Sequence, residues 1–444
     1  MNCAAILIVD DEENLRKLLA RIIELEGYAV RQAPNAKSAL KILERESIQV
    51  VICDVKLPDA NGVELTSRIK SSFPDTEVIV LTAFGTIEDG VRAMKNGAFD
   101  YLTKGEHQDK IIPLLAKASE KASLRQKISR LENTLAEKFS FDHVLGDSPL
   151  IHQAIALGKK VAVTDTTVLL TGETGTGKEV FAQAIHYLSP RKAKTFVAVN
   201  CSALGKDILE SELFGHKEGA FTGAIRDKTG LFQEANEGTI FLDEIGEMSV
   251  ELQAKLLRVL EAGTFIRVGE TKETKVNVRV ITATNRNLEE EISKGHFRED
   301  LFYRLSVFQI LLPALRERTE DIKPLAEFFV QHFAAKVNKR IGGMSPDFLK
   351  ALLQHGWKGN VRELKNVIER TVILSGHETL TPDLLPYDFN AITTGENSMD
   401  LQSVEKAHIL KALAMTGGNK TQAARLLNIG LTTLYQKIKD FHLS

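Results

Sequence analysis

The chain has 444 residues but only three cysteines, Cys3, Cys53 and Cys201. They lie far apart and match no metal-ligand spacing, which argues against a disulfide scaffold and suits a reducing, cytoplasmic setting. No apolar run approaches the length of a membrane span, and the first residues read as a strand rather than a signal peptide, so no membrane association is expected. Net charge is nearly absent too: 57 Lys and Arg against 59 Asp and Glu leave −2. No global field points to a polyanionic partner, so any nucleic-acid contact must be local. Low-complexity segments and internal repeats are missing. The length suggests two to four domains.

What is present is ordered around two segments in mid-chain. Residues 171–179, Thr-Gly-Glu-Thr-Gly-Thr-Gly-Lys-Glu, follow the apolar run 167–170 and open an amphipathic segment at 180–188. That order is strand, glycine loop, helix. The glycines let backbone N–H groups close on phosphate oxygens, Lys178 adds positive charge, and the helix N-terminus favours an anion. The expected ATP-binding set is Gly172, Glu173, Thr174, Gly175, Thr176, Gly177, Lys178 and Glu179. Glu179 stands where a hydroxyl residue usually serves Mg²⁺. Either the metal leans more on Asp243, water and the phosphates, or this is a subfamily trait. Residues 239–244, Thr-Ile-Phe-Leu-Asp-Glu, read as a buried strand delivering two carboxylates to the edge where open parallel sheets bind ligands. Asp243 is expected to hold Mg²⁺ and Glu244 to polarise an attacking water.

In residues 1–120 strand-like runs recur at 4–9, 50–53, 77–81 and 99–102, with helical patterns between them, such as 14–26 and 36–45. The alternation predicts a doubly wound parallel sheet. Asp10 and Asp11, Asp54, Thr82 and Lys104 stand at successive strand ends, which meet at one edge. Three carboxylates there suit Mg²⁺. Asp54 is the expected nucleophile for a phosphoryl group, and Lys104 and Thr82 the groups that bind the new oxygens. This domain resembles a response-regulator receiver through Val-Asp-Asp-Glu at 9–12, Asp-Val-Lys-Leu-Pro-Asp-Ala-Asn-Gly at 54–62, Leu-Thr-Ala at 81–83 and Tyr-Leu-Thr-Lys at 101–104. The resemblance puts Tyr101 in the family's switch-aromatic position. Gly105 departs from a usual proline.

Leu124, Ile128, Leu131 and Leu135 are spaced four, three and four, with charges between them. Residues 121–142 therefore read as a helical linker with a coiled-coil seam pairing two chains, or as an amphipathic helix lying on a neighbouring domain.

The second domain is expected at 143–385, with a helical lid from about 316. Gly219, Ala220, Phe221, Thr222, Gly223 and Ala224 read as an exposed turn able to present Phe221. Placed between the phosphate loop and the acidic strand, this segment resembles the surface loop of the AAA+ ATPases that activate sigma-54 RNA polymerase, and the whole chain is similar to NtrC-type activators. The resemblance makes residues 219–224 the sigma-54 contact. It implies that Asn200, ending the strand-like run 196–200, restrains Glu244, and that Asn285, after Ile-Thr-Ala-Thr, is a first sensor. Arg298 and Arg304 would reach a neighbouring subunit's nucleotide, a role guanidinium suits. Arg362, in Trp-Lys-Gly-Asn-Val-Arg-Glu-Leu-Lys at 357–365, would sense the γ-phosphate. Lys358 replaces a frequent proline, and Trp357 reads as a core anchor.

Residues 386–399 are a polar linker. Residues 400–444 read as three helices, 401–415, 421–427 and 431–441, the first ended by Gly417-Gly418. From residue 401 on, six Lys or Arg stand against two acids, an excess suited to phosphate. Short helix, three-residue turn and basic helix is helix-turn-helix geometry, compatible with a dimerisation bundle. The segment resembles a Fis-type DNA-binding domain. That resemblance assigns Asn419 and Thr421 to phosphate and Thr433 and Gln436 to base edges, with Lys437 nearby. Leu431 and Gly430 replace a frequent base-reading arginine and the usual serine cap.

The expected protein is thus a flavodoxin-like α/β receiver, an α/β AAA+ P-loop ATPase with helical lid and an all-α helix-turn-helix domain. By resemblance its partners are a cognate sensor histidine kinase, sigma-54 RNA polymerase and enhancer DNA, with homodimers assembling into a hexamer or heptamer ring. A remodeller of another protein and a DNA-binding regulator with a dead ATPase are the alternatives.

Overall fold

The computed structural model describes residues 4–82, 87–104, 107–386, 389, 401–416 and 419–441. Ala83, Gly105, most of the linker at 386–399 and the Gly417-Gly418 break lie outside the described residues. The chain divides into two compact units, Met1–Lys138 and Phe139–Ser444.

The first unit alternates β1 (Ala5–Val9), α1 (Glu13–Leu25), β2 (Ala29–Ala33), α2 (Ala36–Arg45), β3 (Val50–Asp54), α3 (Gly62–Ser72), β4 (Glu77–Thr82), α4 (Ile87–Lys95), β5 (Asp100–Thr103) and α5 (His107–Lys138). All pairings are parallel, in the order β2-β1-β3-β4-β5. β3 and β4 are buried throughout, and β1 almost so. Helices cover both faces of such a sheet, so its central strands read as unbroken apolar runs. β2 was not among the expected strands. It lies at the edge, and its central Arg31 and Gln32 are exposed, so no apolar run announces it. After β3 the chain turns back tightly: the Gly62 N–H donates to Val55 O at 2.8 Å. A Cβ on Gly62 would fall 2.0 Å from the Asp54 carbonyl oxygen.

The backbone shows no break near residue 120, where the receiver was expected to give way to a linker. α5 is one helix of 32 residues. Ile111, Leu115, Ala118 and Ala122 pack under the sheet. Polar contacts then continue the attachment, Gln126 to Ser47 and Ser129 to Asp75, both at 3.1 Å. Glu77, 1% exposed at the start of β4, takes ion pairs from Lys70, Lys121 and Arg125. Leu124, Ile128, Leu131 and Leu135 face outward, 52%, 55%, 65% and 40% exposed.

The second unit runs α6 (Pro149–Ala162), β6 (Val168–Thr171), α7 (Lys178–Tyr187), β7 (Phe196–Asn200), α8 (Lys206–Phe214), β8 (Gly215–His216), β9 (Lys228–Thr229), α9 (Leu231–Glu234), β10 (Thr239–Asp243), α10 (Val250–Ala262), β11 (Thr264–Ile266), β12 (Glu273–Lys275), β13 (Arg279–Thr284), α11 (Leu288–Ser293), α12 (Glu299–Leu305) and β14 (Phe308–Leu311). Its parallel sheet has the order β14-β6-β13-β10-β7. The phosphate loop leaves β6, and Asp243 ends β10 two strands away. The lid follows as α13 (Ile322–Lys336), α14 (Pro346–Gln354) and α15 (Asn360–Leu374). Trp357 is fully buried in the lid core, its Nε1 donating to Leu352 O at 2.8 Å, which is the anchor the sequence suggested.

Three final helices, Leu401–Met415, Lys420–Leu426 and Leu431–Asp440, close on Ile409, Ala412, Ala423, Ala424, Leu434 and Ile438. Among the described residues no helix is long and apolar enough to cross a membrane.

Candidate nucleotide, phosphoryl and DNA sites

The phosphate loop bends through left-handed backbone at Gly172, Gly175 and Gly177, with φ of 150°, 82° and 106°. At Gly175 the need for glycine is steric as well, since a Cβ would lie 2.3 Å from Gly359 O in the lid. Lys178 begins α7 and is 6% exposed. Its Nζ donates to Gly172 O at 2.8 Å and Glu173 O at 3.2 Å, which closes the loop into a ring. Burial pushes the Lys178 ammonium below its ordinary value, against the pull of the Glu244 and Asp243 carboxylates; the charge of Arg362 adds to the depression. Thr176 is buried, its hydroxyl donating to Glu173 O at 2.9 Å. Glu179 is exposed and accepts a long bond from Gln183, 3.4 Å.

Glu244 adopts φ 52° and ψ 48°, a left-handed conformation uncommon for a residue with a side chain and often found at functional positions. Its carboxylate accepts the Asn285 N–H at 3.4 Å, and the Asn285 amide donates to Thr174 Oγ1 at 2.9 Å. The acidic strand, the first-sensor position and the phosphate loop are thus joined. Asn200 pairs with Asp243 in the sheet register. Its side-chain oxygen accepts from the Ser202 N–H and hydroxyl at 2.8 and 2.7 Å, so here it is engaged with Ser202 and not with Glu244.

Arg298 forms a two-pronged pair with Asp300 at 3.0 and 2.6 Å, and Arg304 donates to Leu260 O at 3.0 Å. Neither is drawn to the phosphate loop of its own chain. Arg362 is: its backbone N–H and that of Val361 donate to Gly175 O at 3.4 and 3.0 Å.

Three residues of this site escaped the sequence reading. Arg316 grips Glu173 with both guanidinium ends at 2.8 and 2.5 Å. Asn360, fully buried with φ 54°, gives its amide to Glu173 Oε2 at 3.1 Å and to Thr174 O at 3.0 Å. These partners, Arg316 first, hold the Glu173 carboxyl down at about 2. Arg318, 3% exposed, donates to Thr176 O at 3.1 Å. The signal available was arginine density at 316–318 and an asparagine beside a glycine at 359–360, neither of which has a partner in sequence.

In the first unit, Asp10, Asp11 and Asp54 each bring one carboxylate oxygen within 4.8 Å of the others, a donor set that fits a hard divalent cation. Lys104 Nζ lies 2.5 Å from Asp54 and 3.0 Å from Asp10. Burial raises the Asp54 carboxyl, against the opposing bond from Lys104. For Lys104 burial works the other way, but its bonds to Asp54 and Asp10 outweigh it and hold the ammonium above its ordinary value. Thr82 is buried beside them, its carbonyl taking the Lys104 N–H at 2.6 Å. The Tyr101 ring is pressed on α4, where a Cβ at Gly90 would come within 2.7 Å of it.

The turn at residues 219–224 is closed by Gly219 N–H to Ala224 O at 2.9 Å. Ala224 is buried, while Phe221 is 45% exposed, its ring edge-on to His216 at 5.0 Å. Among the C-terminal residues, Asn419 Oδ1 caps the second helix, accepting from Thr421 and Gln422 N–H at 3.2 Å each. Thr421, Thr433 and Gln436 are exposed. Lys437 is half-buried and paired with Glu405 of the first of these helices at 2.6 Å.

Family models match this geometry domain by domain: response regulator receiver domain over 6–116, sigma-54 interaction domain over 144–311, AAA+ ATPase lid domain over 316–401, and bacterial regulatory protein, Fis family, over 401–441. The chain is 40% identical to the regulatory protein AtoC of Escherichia coli (strain K12), covering 98% of this chain and 97% of that one. It is 37% identical to the DNA-binding transcriptional regulator NtrC of Proteus hauseri, with the same coverage. A crystal structure of NtrX from Brucella abortus in complex with ATP superposes with TM-score 0.63 at 34% identity, over 99% of this chain and 100% of that one.

Proposed function

We propose a working cycle for a protein that belongs to the NtrC family of sigma-54-dependent response regulators. A sensor histidine kinase in the cytoplasm supplies the phosphoryl group: an Asp54 carboxylate oxygen attacks phosphorus, the histidine nitrogen leaves, and an aspartyl phosphate forms. Lys104 and the Thr82 hydroxyl then bind its oxygens, and Tyr101 follows Thr82. Asp10, Asp11 and Asp54 would hold Mg²⁺ in the receiver, and Asp243 would hold it beside the nucleotide. In both places the ion supplies charge neutralisation of phosphoryl oxygens.

Through the exposed seam of α5 two copies pair, and pairs assemble into a hexamer or heptamer ring. ATP lies in the phosphate loop with Lys178 on its phosphates. Glu244 orients water for attack on the γ-phosphorus, and Asn285 reads the γ-phosphate. Arg304, and with it Arg298, faces the nucleotide of the next subunit, which accords with their lying apart from their own phosphate loop. Arg362 relays nucleotide state to the lid, and residues 219–224 press on sigma-54 to remodel the promoter complex held at enhancer DNA. The observation that carries this reading is the link Glu244–Asn285–Thr174, because it couples the water-orienting acid to the loop that holds phosphate.

The test is ATPase rate against protein concentration, with and without beryllofluoride, for the native chain, Asp54→Ala and Arg304→Ala. Cooperative rise with concentration, stimulation lost in Asp54→Ala and activity lost in Arg304→Ala are expected. A rate per subunit that ignores concentration and both substitutions would sink the shared site and the switch.

A further inference from the structure

The last helix, Leu431–Asp440, carries an exposed apolar residue where a helix-turn-helix protein reads bases. The first residues of a recognition helix are those that reach base edges in the major groove. Here they are Leu431, Thr432 and Thr433, all exposed, Leu431 at 41%. Leu434 and Ile438 point into the bundle, and the preceding Gly430 brings no side chain. No cation stands in this turn. Lys437 is tied to Glu405, and Lys439, eight residues on, lies about 12 Å further along the axis.

Guanine is read most often by a two-pronged contact from arginine or lysine, and this turn offers none. What it offers is branched hydrocarbon and two threonine methyl groups, which fit the one apolar feature of the major groove, the 5-methyl of thymine. One turn on, exposed Gln436 has the paired donor and acceptor that adenine takes. Phosphate attraction comes from elsewhere: Lys420 and Arg425 are exposed on the preceding helix.

We propose that Leu431 determines DNA specificity by packing on the methyl group of a thymine, so that the helix reads A·T pairs. The inference rests on the Fis-type assignment of these three helices. Leu431 is a binding residue whose contribution is local and apolar, so a change of one methyl on the DNA is the matching probe.

The experiment uses the full chain. Duplexes are first enriched from a random pool, and the best is then titrated by fluorescence anisotropy with each thymine replaced singly by deoxyuridine. For the native protein, one replacement is expected to weaken binding about fourfold, the value of one buried methyl. The same replacement should leave Leu431→Ala unchanged, while Leu431→Met keeps the preference. Affinity for unselected duplex should match across all three. The proposal is overturned if every deoxyuridine is neutral, or if Leu431→Ala shows the same fourfold loss as the native chain. A pool that enriches no sequence overturns the Fis-type assignment together with it.

Discussion

Asn360 bridges the lid and the phosphate loop with both ends of its amide: Nδ2 donates to Glu173 Oε2 at 3.1 Å while Oδ1 accepts the Leu315 N–H at 2.7 Å. With Arg316 it holds the lid on the loop that cradles phosphate. Asn360→Ala is expected to raise the KM for ATP about tenfold, the worth of a hydrogen bond to a charged group, with a smaller change in kcat. Because the Glu173 carboxyl sits near 2, below its unfolded value, its contribution is complete above about pH 4 and is lost only as pH falls towards 2. The pH profile of ATP affinity above pH 5 should therefore be blind to Glu173. A titration in that range that vanished in Glu173→Gln would contradict the assignment.

The turn at residues 219–224 has a seat. Ala220 lies over Gly269 so closely that a Cβ there would come within 2.6 Å of the Ala220 methyl, and Gly269 holds φ 78°. Gly269→Val should shift the loop and leave the nucleotide site intact. Expected is an unchanged ATPase rate with about tenfold weaker capture of purified sigma-54, as 1–2 kcal/mol of strain would produce. Equal losses in both assays would place the effect in the fold instead.

His186 is fully buried on α7, with Nδ1 2.9 Å from the Thr239 hydroxyl on β10. Burial pushes its pKa down to about 4. The unfolded chain binds the proton near 6.5 and the folded chain does not, so stability falls as pH drops from about 6.5 and levels off below about 4. The full span corresponds to about 3 kcal/mol. Thermal melts of the second unit from pH 7 to pH 5 should show this slope, and His186→Asn should flatten it. A slope identical in the variant would assign the acid sensitivity to other groups.

Glu77 gathers Lys70, Lys121 and Arg125 around a buried carboxylate. The cations left behind are 19%, 45% and 44% exposed and stay hydrated, so Glu77→Ala forfeits charge-assisted bonds without stranding a buried charge. It should lower receiver stability by about 1.5–3 kcal/mol and speed amide exchange in α5 around residues 121–129. Exchange that stayed slow there would mean that apolar packing alone holds the helix.

Much of this was readable in advance where one residue type carries one duty. Asp54, Lys104, Lys178, Asp243 and Glu244 stand at strand ends or in a glycine loop, and apolar runs mark those strands before any coordinate is known. The limits of β1, β3, β4 and β5 differ by one residue from the sequence reading. What was hidden depends on distance along the chain. Arg316 and Asn360 acquire their meaning from Glu173, 143 and 187 residues away. Glu77 reads as an ordinary strand-start charge until three cations are folded onto it. Asn200 and Lys437 likewise have partners that motif position did not announce: Ser202 donates to the Asn200 side-chain oxygen, and Glu405 pairs with Lys437.

Gly62 and Asp11 stand at the same corner of the receiver and differ in what constrains them. Any side chain at Gly62 would strike the Asp54 carbonyl, so the fold itself forbids substitution. Asp11 is exposed, and no fold requirement holds it. Were a descendant of this chain to give up phosphorylation, drift would erase Asp11 early while Gly62 stayed. Glycine at that codon is a record of architecture, and only the pair read together dates the loss of chemistry.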